Sequence, residues 1–349
     1  MEPRPLGRTG YSIGGAGVGA TALGGGPGRD AHLAQRALFH ALERGVRLVE
    51  HGHGGVGALG RIGEVVRELR LREQVAVAIR IPALNELRTP DGNLMLRRVF
   101  TPVYLKAAVE AALIATRLEI IPIAQLGLWH DDWLDDETWP ELATYLAELV
   151  WQGKVLHWGV VAGGGPAVRI ADEPAIATIA VPYNVFARAE GEALFAKATE
   201  RKVGLIAIRP LAGGLLGGDF GAKVEFRPGD ARREALPPAL LAAAAPRVAK
   251  LSALTSDAPP AARSSDAARE ALEQAERDRR EKEARIEASN VPELALRFAL
   301  TPPAISAFAV GAASRDHVDA AIAAASAPPL GARVMEALAA HAWPEMQTG

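Results

Sequence analysis

The sequence predicts a (β/α)8 barrel of the TIM type, with an N-terminal hairpin and a long insertion after the seventh strand. Short apolar runs alternate about eight times with stretches whose apolar residues recur at helical spacing. Strands that alternate with helices form a parallel sheet, and eight such units in about 250–350 residues favour a closed barrel. A doubly wound open sheet is the alternative, but the first turn lacks a well-placed Gly-x-Gly-x-x-Gly motif. We therefore treat residues 1–349 as a single domain.

The chain begins with a predicted hairpin over residues 6–13, with Gly10 near its turn. Strands are predicted at 16–21, 46–50, 75–81, 120–128, 155–161, 175–181, 203–208 and 304–310. Helices are predicted at 33–45, 58–71, 103–118, 137–150, 189–202, 294–300 and 315–325, with a short helix after Gly165 and a further one at the C-terminus. Residues 82–102 are predicted to be loop.

The insertion after the seventh strand covers residues 213–289 and has two parts. Residues 213–265 are rich in Gly, Pro and Ala and are predicted to be irregular. Residues 266–288 alternate Glu and Arg, with Leu272 and Ile286 almost the only large apolar side chains. This pattern predicts a solvated outer helix, and a helix that binds a protein partner is the alternative.

Composition excludes several classes of function. The chain has no cysteine, so disulfides, thiolate metal sites and a cysteine nucleophile are ruled out. A formal net charge of -2 gives no reason to expect nucleic acid or an anionic membrane as a partner. The N-terminus shows no apolar signal core, and no run approaches the roughly 20 apolar residues of a membrane span. We expect a soluble, cytoplasmic protein.

Polar residues follow the second and fourth predicted strands. Glu50 ends the second strand and His51 and His53 follow it, and His130 with two aspartates comes after the fourth. In a barrel, both groups would lie at one mouth. Three interpretations stay open: polar residues that only line a pocket, a general acid/base site without metal, and a divalent metal site with His51, His53 and His130 as ligands.

Seven segments, in order along the chain, resemble the aldo-keto reductase family. They are Pro5-Leu6-Gly7-Arg8-Thr9-Gly10, Gly45-Val46-Arg47-Leu48-Val49-Glu50, Gly60-Arg61-Ile62-Gly63-Glu64-Val65, Gly153-Lys154-Val155-Leu156-His157-Trp158-Gly159-Val160, Pro182-Tyr183-Asn184, Arg209-Pro210-Leu211-Ala212-Gly213-Gly214-Leu215-Leu216 and Val310-Gly311-Ala312-Ala313-Ser314. The resemblance implies the same barrel, NAD(P)H-dependent carbonyl oxidoreductase chemistry and a small-molecule substrate.

The family's catalytic Asp, Tyr, Lys and His do not carry over. By the resemblance, their positions fall on Glu50, Gly55, Arg80 and Trp129, with His130 next to Trp129. The tyrosine is the family's general acid, and glycine cannot donate a proton. Arg80 keeps a positive charge, and we expect it to pair with Glu50 because two buried charges need partners.

The cofactor positions that the resemblance implies are depleted as well. Those that would meet the nicotinamide are Val161, Ala162, Ala180 and Ile208, and the adenine position falls on Ala320 and Ala321. The residues that remain for NADP(H), mainly for its phosphates, are Arg209, Leu211, Gly213, Gly311, Ser314 and Arg315.

The sequence therefore favours a divergent member of this lineage in which ordinary reduction is lost or repurposed. It would be a pseudoenzyme with a binding or structural role, and residues 213–288 would be its candidate partner surface. One alternative is an active NAD(P)H-dependent oxidoreductase that uses Glu50, His51 or His53, and His130 as acid/base groups. Another is a metal-assisted lyase or hydrolase at the same mouth.

Overall fold

Eight parallel strands close into a barrel, as the sequence predicts, and not into an open doubly wound sheet. The computed structural model describes residues 1–26, 29–84, 95–162, 167–218, 226, 232–255, 288–311 and 313–343. The barrel strands are β3 Ala16–Gly19, β4 Leu48–Glu50, β5 Ala76–Ile81, β6 Ile121–Trp129, β7 Val155–Ala162, β8 Ile176–Pro182, β9 Gly204–Ile208 and β10 Ile305–Gly311. Strand β10 pairs with both β9 and β3, which closes the ring.

Helices surround the barrel and connect its strands. They are α1 Ala31–Glu43, α2 Gly55–Glu68, α3 Leu96–Val99, α4 Pro102–Thr116, α5 Trp139–Trp151, α6 Ala189–Arg201, α7 Arg232–Ala235, α8 Pro238–Ser252, α9 Val291–Leu300, α10 Arg315–Ser326 and α11 Ala332–Ala339. Asn290 caps α9, because its side chain accepts a hydrogen bond from the backbone N–H of Glu293. Among the described residues, no helix is long and apolar enough to cross a membrane.

Two predictions of irregular chain were wrong in part. Residues 238–252, inside the stretch predicted to be irregular, form α8, and residues 96–99 of the predicted 82–102 loop form α3. Helix α8 contains Pro246, a residue that ordinarily signals a break, but its alanines have the highest helix propensity and outweigh that signal. After Gly165, the described chain forms a 3-10 turn at Arg169–Asp172. Of the charged run 266–288, only Ala288 belongs to the described residues.

The predicted hairpin closes the floor of the barrel, which is the end where the strands begin. Its strands, β1 Arg4–Pro5 and β2 Ser12–Ile13, pair antiparallel. Leu6 and Ile13 pack into an interior cluster with Leu48, Ile123 and Ile206, each at most 1% exposed. Gly7 lies so close to the start of β9 that a Cβ on it would come within 2.2 Å of the Gly204 nitrogen. Within the described residues the floor is therefore closed by apolar packing, and the polar residues lie at the opposite end, where barrel proteins bind their ligands.

Candidate active site at the barrel mouth

Strand alternation brings Glu50 and Arg80 into the barrel just above the apolar floor. Leu48 and Ala78 belong to the interior cluster, and successive side chains along a strand point to opposite faces. Glu50 and Arg80 each lie two residues beyond them, so both point inward. The neighbouring strands β4 and β5 are in register, with Glu50 opposite Ala78. Arg80 therefore lies one inward-facing position beyond Glu50 on the adjacent strand, from which its long side chain can reach the carboxylate.

Glu50 and Arg80 form the ion pair that the sequence predicts. Arg80 Nη2 lies 3.4 Å from Glu50 Oε1, and the two side chains are only 9% and 7% exposed. A carboxylate held this far from water needs a cation to offset its lost hydration. The pair therefore fixes the position of the guanidinium and leaves the Arg80 Nη1 group for a second partner.

His53 is that second partner, and the contact fixes its protonation. Arg80 Nη1 lies 2.8 Å from His53 Nε2. A guanidinium can only donate, so His53 Nε2 accepts and the neutral ring carries its proton on Nδ1. Although part of this residue remains exposed, removal of the ring from water lowers the pKa of His53 to about 4. The positive charges of Arg80 and Arg209 lower this pKa further.

His51 forms a hydrogen bond with the backbone of the same loop. Its Nε2 lies 3.0 Å from the Gly55 carbonyl oxygen. A carbonyl oxygen can only accept, so Nε2 donates, and this hydrogen bond holds the first residue of α2 in position. The residue is 5% exposed. Burial is the largest cause that lowers the pKa of His51, against the opposing influences of the Gly55 carbonyl and of Glu50. His51 is thus a neutral residue with a structural role, whereas His53 is the histidine that reaches the open mouth.

The sharp turn between the two histidines depends on Gly52 and Thr21, neither of which was a predicted site residue. Gly52 has φ +60°, and a Cβ there would lie 2.5 Å from Thr21 Oγ1 and 3.3 Å from Glu50 Oε2. The backbone N–H of His53 points at the same Thr21 Oγ1, at 3.4 Å. The repeated glycines of the loop were the only sequence signal, and nothing in the sequence singled out Thr21.

Gly55 occupies the place where the resemblance puts the family's tyrosine. It is the first residue of α2, it is exposed, and its φ is +64°. A Cβ built on Gly55 would meet no atom within 4 Å. Among the described residues the position is open, and none of their side chains fills it.

The end of the fourth barrel strand, β6, is packed with buried aromatic side chains that have a structural role. Trp129 is completely buried, and its ring packs edge-on against Trp133 and Trp139 at centroid distances of 5.5 and 5.1 Å. Its Nε1 donates to Asp131 Oδ1 at 3.1 Å. Asp131 also accepts from the backbone N–H of Arg169 at 2.6 Å. Trp129 therefore presents no surface to a ligand, and Asp131 ties the β6 end to the turn at residues 169–172.

A metal site gains no support from this arrangement. His130 stacks edge-on to Trp133, with ring centroids 5.2 Å apart. Within the described ranges, no group of three or more His, Asp or Glu side chains is placed to hold a metal ion. The structure therefore does not bring His130 together with His51 and His53 as a ligand set.

Arg209 follows β9 and has an unusual backbone. Its φ is +54°, in the left-handed region that costs a non-glycine residue about 1 kcal/mol or more. Its carbonyl oxygen accepts from Asn184 Nδ2 at 3.1 Å and from the Ala212 N–H at 2.9 Å. Asn184 is fully buried and its Oδ1 accepts from the N–H groups of Phe186 and Ala187, each at 3.0 Å. Asn184 thus holds Arg209 in place, a role the sequence motif alone did not reveal.

The remaining residues predicted to meet a cofactor lie near the adjoining strand ends. Ser314 caps α10, with its Oγ accepting from the His317 N–H at 3.3 Å, and Arg315 is the exposed first residue of that helix. Gly311 ends β10 and is exposed, while Gly213 has φ +70° in the turn after Leu211. A helix N-terminus with an adjacent arginine suits a phosphate.

The positions that would meet a nicotinamide ring fit it poorly. Val161, Ala180 and Ile208 are all part of the apolar interior cluster, and Ala162 is 7% exposed. None of these side chains can hydrogen-bond a carboxamide. The mouth therefore suits the phosphates of NADP(H) better than its ring.

A closed parallel barrel with its polar residues at the carboxyl-terminal mouth defines a TIM-barrel protein. The family model for the aldo/keto reductase family matches residues 16–342. The chain therefore belongs to the aldo/keto reductase family.

Solved structures agree in fold. An aldo-keto reductase from Bacillus halodurans in its holo form is 20% identical, with a TM-score of 0.65, covering 98% of this chain and 96% of that one. The glycerol dehydrogenase of Gluconobacter oxydans is 19% identical, with a TM-score of 0.70, covering 97% and 94%. No curated protein sequence matches significantly.

Proposed function

We propose that this protein is an aldo/keto reductase-family barrel whose mouth binds a small molecule and in which tyrosine-dependent carbonyl reduction is lost or repurposed. The observation that carries the proposal is Gly55. Its exposed position opens to free space where the resemblance places the family's proton donor. A carbonyl reduction needs a proton for the developing alkoxide, and a positioned acid contributes about 10²–10⁴-fold to such a step.

The neighbouring polar groups are poor replacements for that acid. Glu50 is paired with Arg80, and His51 donates to the Gly55 carbonyl. His53 is neutral near pH 7 because its pKa is about 4. Its Nδ1–H can donate a hydrogen bond to a ligand oxygen but cannot readily release a proton to it. These contacts favour a binding pocket or a pseudoenzyme over an ordinary reductase.

NADP(H) remains a candidate ligand for the phosphate side of the mouth alone. Arg209, Ser314 and Arg315 supply charge, a capping hydroxyl and a helix N-terminus there. When bound with its ring in a barrel, NADPH supplies a hydride. The ring positions of this chain are apolar, so their side chains offer no hydrogen bond that would hold the ring for that transfer.

A second candidate is an active NAD(P)H-dependent oxidoreductase, and one contact favours it. Arg80 holds His53 in the tautomer whose Nδ1–H faces no acceptor among the described residues. A neutral imidazole can polarise a carbonyl oxygen by donating a hydrogen bond. In this candidate, His53 would orient and polarise the substrate, the Glu50–Arg80 pair would keep the tautomer, and His130 would be a further acid/base group.

One experiment separates the two candidates. Purified full-length protein is titrated with NADPH and NADH by calorimetry, and cofactor oxidation is followed with a panel of aldehydes and ketones. We expect no turnover above the uncatalysed rate. Turnover that falls about a hundredfold in His53→Gln, but not in the matched surface variant His32→Gln, would establish the second candidate instead. Turnover above the uncatalysed rate that is equal in His53→Gln and His32→Gln would contradict both candidates.

A partner-binding role for residues 266–288 stays a proposal from the sequence, because only Ala288 of them is described. Deletion of residues 266–287 from the full chain tests it. We expect a co-purifying protein to be lost from the deletion variant while the thermal unfolding of the barrel is unchanged. Retention of the same partner after deletion would remove this role.

A further inference from the structure

We propose that the outer face of helix α4 is an interface at which two copies of this chain pack antiparallel about a twofold axis. Four exposed residues form this face, Val103, Ala107, Ala111 and Ile114, and we call them the α4 stripe. The stripe lies on the outside of the barrel and includes no residue of the mouth. The inference is therefore independent of the proposed function, and it adds a partner, which is a second copy of the chain.

The α4 stripe is apolar where a solvated helix would carry charges. Leu105, Val109 and Ala112 pack into the core from the inner side of α4. On the outer side, Val103 and Ile114 are 82% and 77% exposed. A helix that is apolar on its outer side as well as its inner side is normally covered on both. The stripe therefore has the composition of a buried surface.

The helices next to α4 in the chain show the ordinary solvated pattern. Helix α1 exposes Arg36 and Glu43, and helix α2 exposes Glu64 and Glu68. Single apolar side chains on a surface are common, but a contiguous apolar patch marks an interaction site. The outer face of α4 thus differs from its neighbours in the way that an interface differs from ordinary surface.

The end of helix α5 widens this apolar surface. Trp151, the last residue of α5, is 87% exposed, and Val150 before it is 38% exposed. The ion pair between Lys154 and Glu110, at 2.7 Å, ties the chain after α5 to α4. Tryptophan is enriched at protein interfaces because it buries a large area. Trp151 therefore extends the stripe toward the roughly 800 Å² that each partner buries in a standard interface.

The spacing of the α4 stripe suits a copy of itself. Val103 lies four residues before Ala107, and Ile114 lies three residues after Ala111, so the stripe reads nearly the same from either end. In a twofold interface, residue i contacts residue j and j contacts i. Antiparallel packing sets Ala107 against the partner's Ala111. The small central residues allow the helix axes to approach to about 8–10 Å, and the larger Val103 and Ile114 meet at the two ends.

The charges beside the stripe fit the same arrangement. Lys106 and Glu110 lie four residues apart on one flank of α4. Antiparallel packing brings Lys106 near the partner's Glu110, and the twofold axis repeats this pair. The Glu110 side chain is 43% exposed despite its contact with Lys154, so it can accept from a second cation. Opposite charges at an interface rim fix register and orientation, so this pattern favours a second copy over an unrelated protein.

Analytical ultracentrifugation of the full-length protein over a range of concentrations tests the interface. The blocking variant is Ala107→Arg, and its matched control is Ala196→Arg at an exposed position of α6. Arginine is a good helix former, so both variants should fold, and thermal unfolding checks this. The charge pair is tested by Lys106→Glu and by the swap of Lys106→Glu with Glu110→Lys.

We expect the wild type to dimerise with a dissociation constant of about 10 μM or tighter. Ala107→Arg should raise this constant at least about a hundredfold, because the twofold axis buries two guanidinium groups without partners. Ala196→Arg should leave it within about twofold. Lys106→Glu should raise it about tenfold, and the charge swap should restore most of the loss.

Cross-linking tests the antiparallel register directly, since the natural chain has no cysteine. In the double variant Ala107→Cys with Ala111→Cys, each thiol would meet a thiol of the partner, and oxidised glutathione would accept the electrons as the two disulfides form. We expect a covalent dimer from this variant and none from Ala196→Cys.

The interface is overturned if the wild type remains a monomer at about 100 μM, if Ala107→Arg dimerises as the wild type does, or if the double-cysteine variant yields no covalent dimer. A monomeric wild type that dimerises only after deletion of residues 266–287 would assign the stripe to a segment of the chain itself. That result also overturns the proposal. None of these outcomes bears on the proposed function, which is tested by cofactor binding and turnover at the mouth.

Discussion

The floor and the mouth of the barrel are built on opposite principles. The floor is a cluster of aliphatic side chains such as Leu6, Ile123 and Ile206, all at 0% exposure, sealed by the hairpin. One layer higher, the mouth carries an ion pair, a neutralised histidine and an arginine with positive φ. Burial stabilises the floor without directional demands. At the mouth, each charged or polar group depends on one particular partner.

This contrast predicts where the molecule can tolerate amino-acid substitutions. A floor residue can be exchanged for another of similar volume at little cost, because packing and area decide its contribution. A mouth residue cannot, since removal of one partner leaves the other buried and unpaired. We expect substitutions at the floor to alter stability alone and substitutions at the mouth to alter stability, protonation and ligand binding together.

The largest effect is expected for Arg80→Met. It leaves the carboxylate of Glu50 inside the barrel without its cation, and we expect the free energy of unfolding to fall by about 4 kcal/mol. Urea unfolding measures the change. The double variant Glu50→Gln with Arg80→Met removes both charges and should recover most of the loss. If the double variant is as unstable as the single one, the ion pair is not what stabilises the mouth.

A floor substitution should cost somewhat less and should leave the mouth intact. Ile206→Ala opens a cavity at a fully buried position, and we expect a loss of about 3 kcal/mol in the free energy of unfolding. Ile206→Val, the conservative control, should cost about 1 kcal/mol. NMR titration of His53 should give the wild-type pKa in both variants. A shifted pKa would mean that the floor and the mouth are coupled.

Gly52→Ala tests the turn that presents His53. The backbone has φ +60°, and the new Cβ would meet Thr21 Oγ1 at 2.5 Å, so we expect a loss of about 2 kcal/mol and a displaced His53. Gly153→Ala is the matched control, since that glycine has φ +69° with no atom near the Cβ position. It should show only the conformational cost of about 1 kcal/mol. Equal losses of unfolding free energy in the two variants would show that the Thr21 side chain moves to accommodate the new methyl group.

The sequence was sufficient for the fold because the fold depends on repeated, local patterns. All eight barrel strands lie where apolar runs predict them, within a few residues. Helix α8 was missed because residues 213–265 are rich in Gly and Pro, and that composition favoured irregular chain over the alanine run. The Glu50–Arg80 pair was predictable because the resemblance placed both charges at neighbouring strand ends, where each buried charge required a partner.

The roles of the histidines were not predictable, because they depend on hydrogen-bond direction. His51 and His53 stand two residues apart with similar neighbours. Yet His51 donates a hydrogen bond to the Gly55 carbonyl, whereas His53 accepts one from Arg80. Asp131, one of the two aspartates after His130, accepts hydrogen bonds from the backbone N–H groups of Arg169 and Ile170 in the next loop. The left-handed backbone of Arg209 follows from Asn184, which lies 25 residues away in the chain. Contacts of this kind require three-dimensional positions.

The smallest expected effect is on the pH dependence of stability. Folding lowers the pKa of His53 to about 4 from its usual value of 6.5, so between these pH values the unfolded chain binds a proton that the folded chain does not. Stability should therefore fall as pH drops from about 6.5 to about 4 and level off below. The loss from this group should stay below about 1 kcal/mol, because its ring is partly exposed and solvent screens it.

Urea unfolding at several pH values, compared between the wild type and His53→Gln, isolates this contribution. Glutamine keeps an acceptor for Arg80 Nη1 but does not titrate. His51 also has a lowered pKa, so a residual slope of the same sign should remain in the variant. If the slope is unchanged in His53→Gln, the proton-linked loss belongs to other groups and Arg80 does not hold His53 neutral. A smaller slope of the free energy of unfolding against pH in the variant would show that the mouth, unlike the floor, depends on the protonation state of the His53 ring.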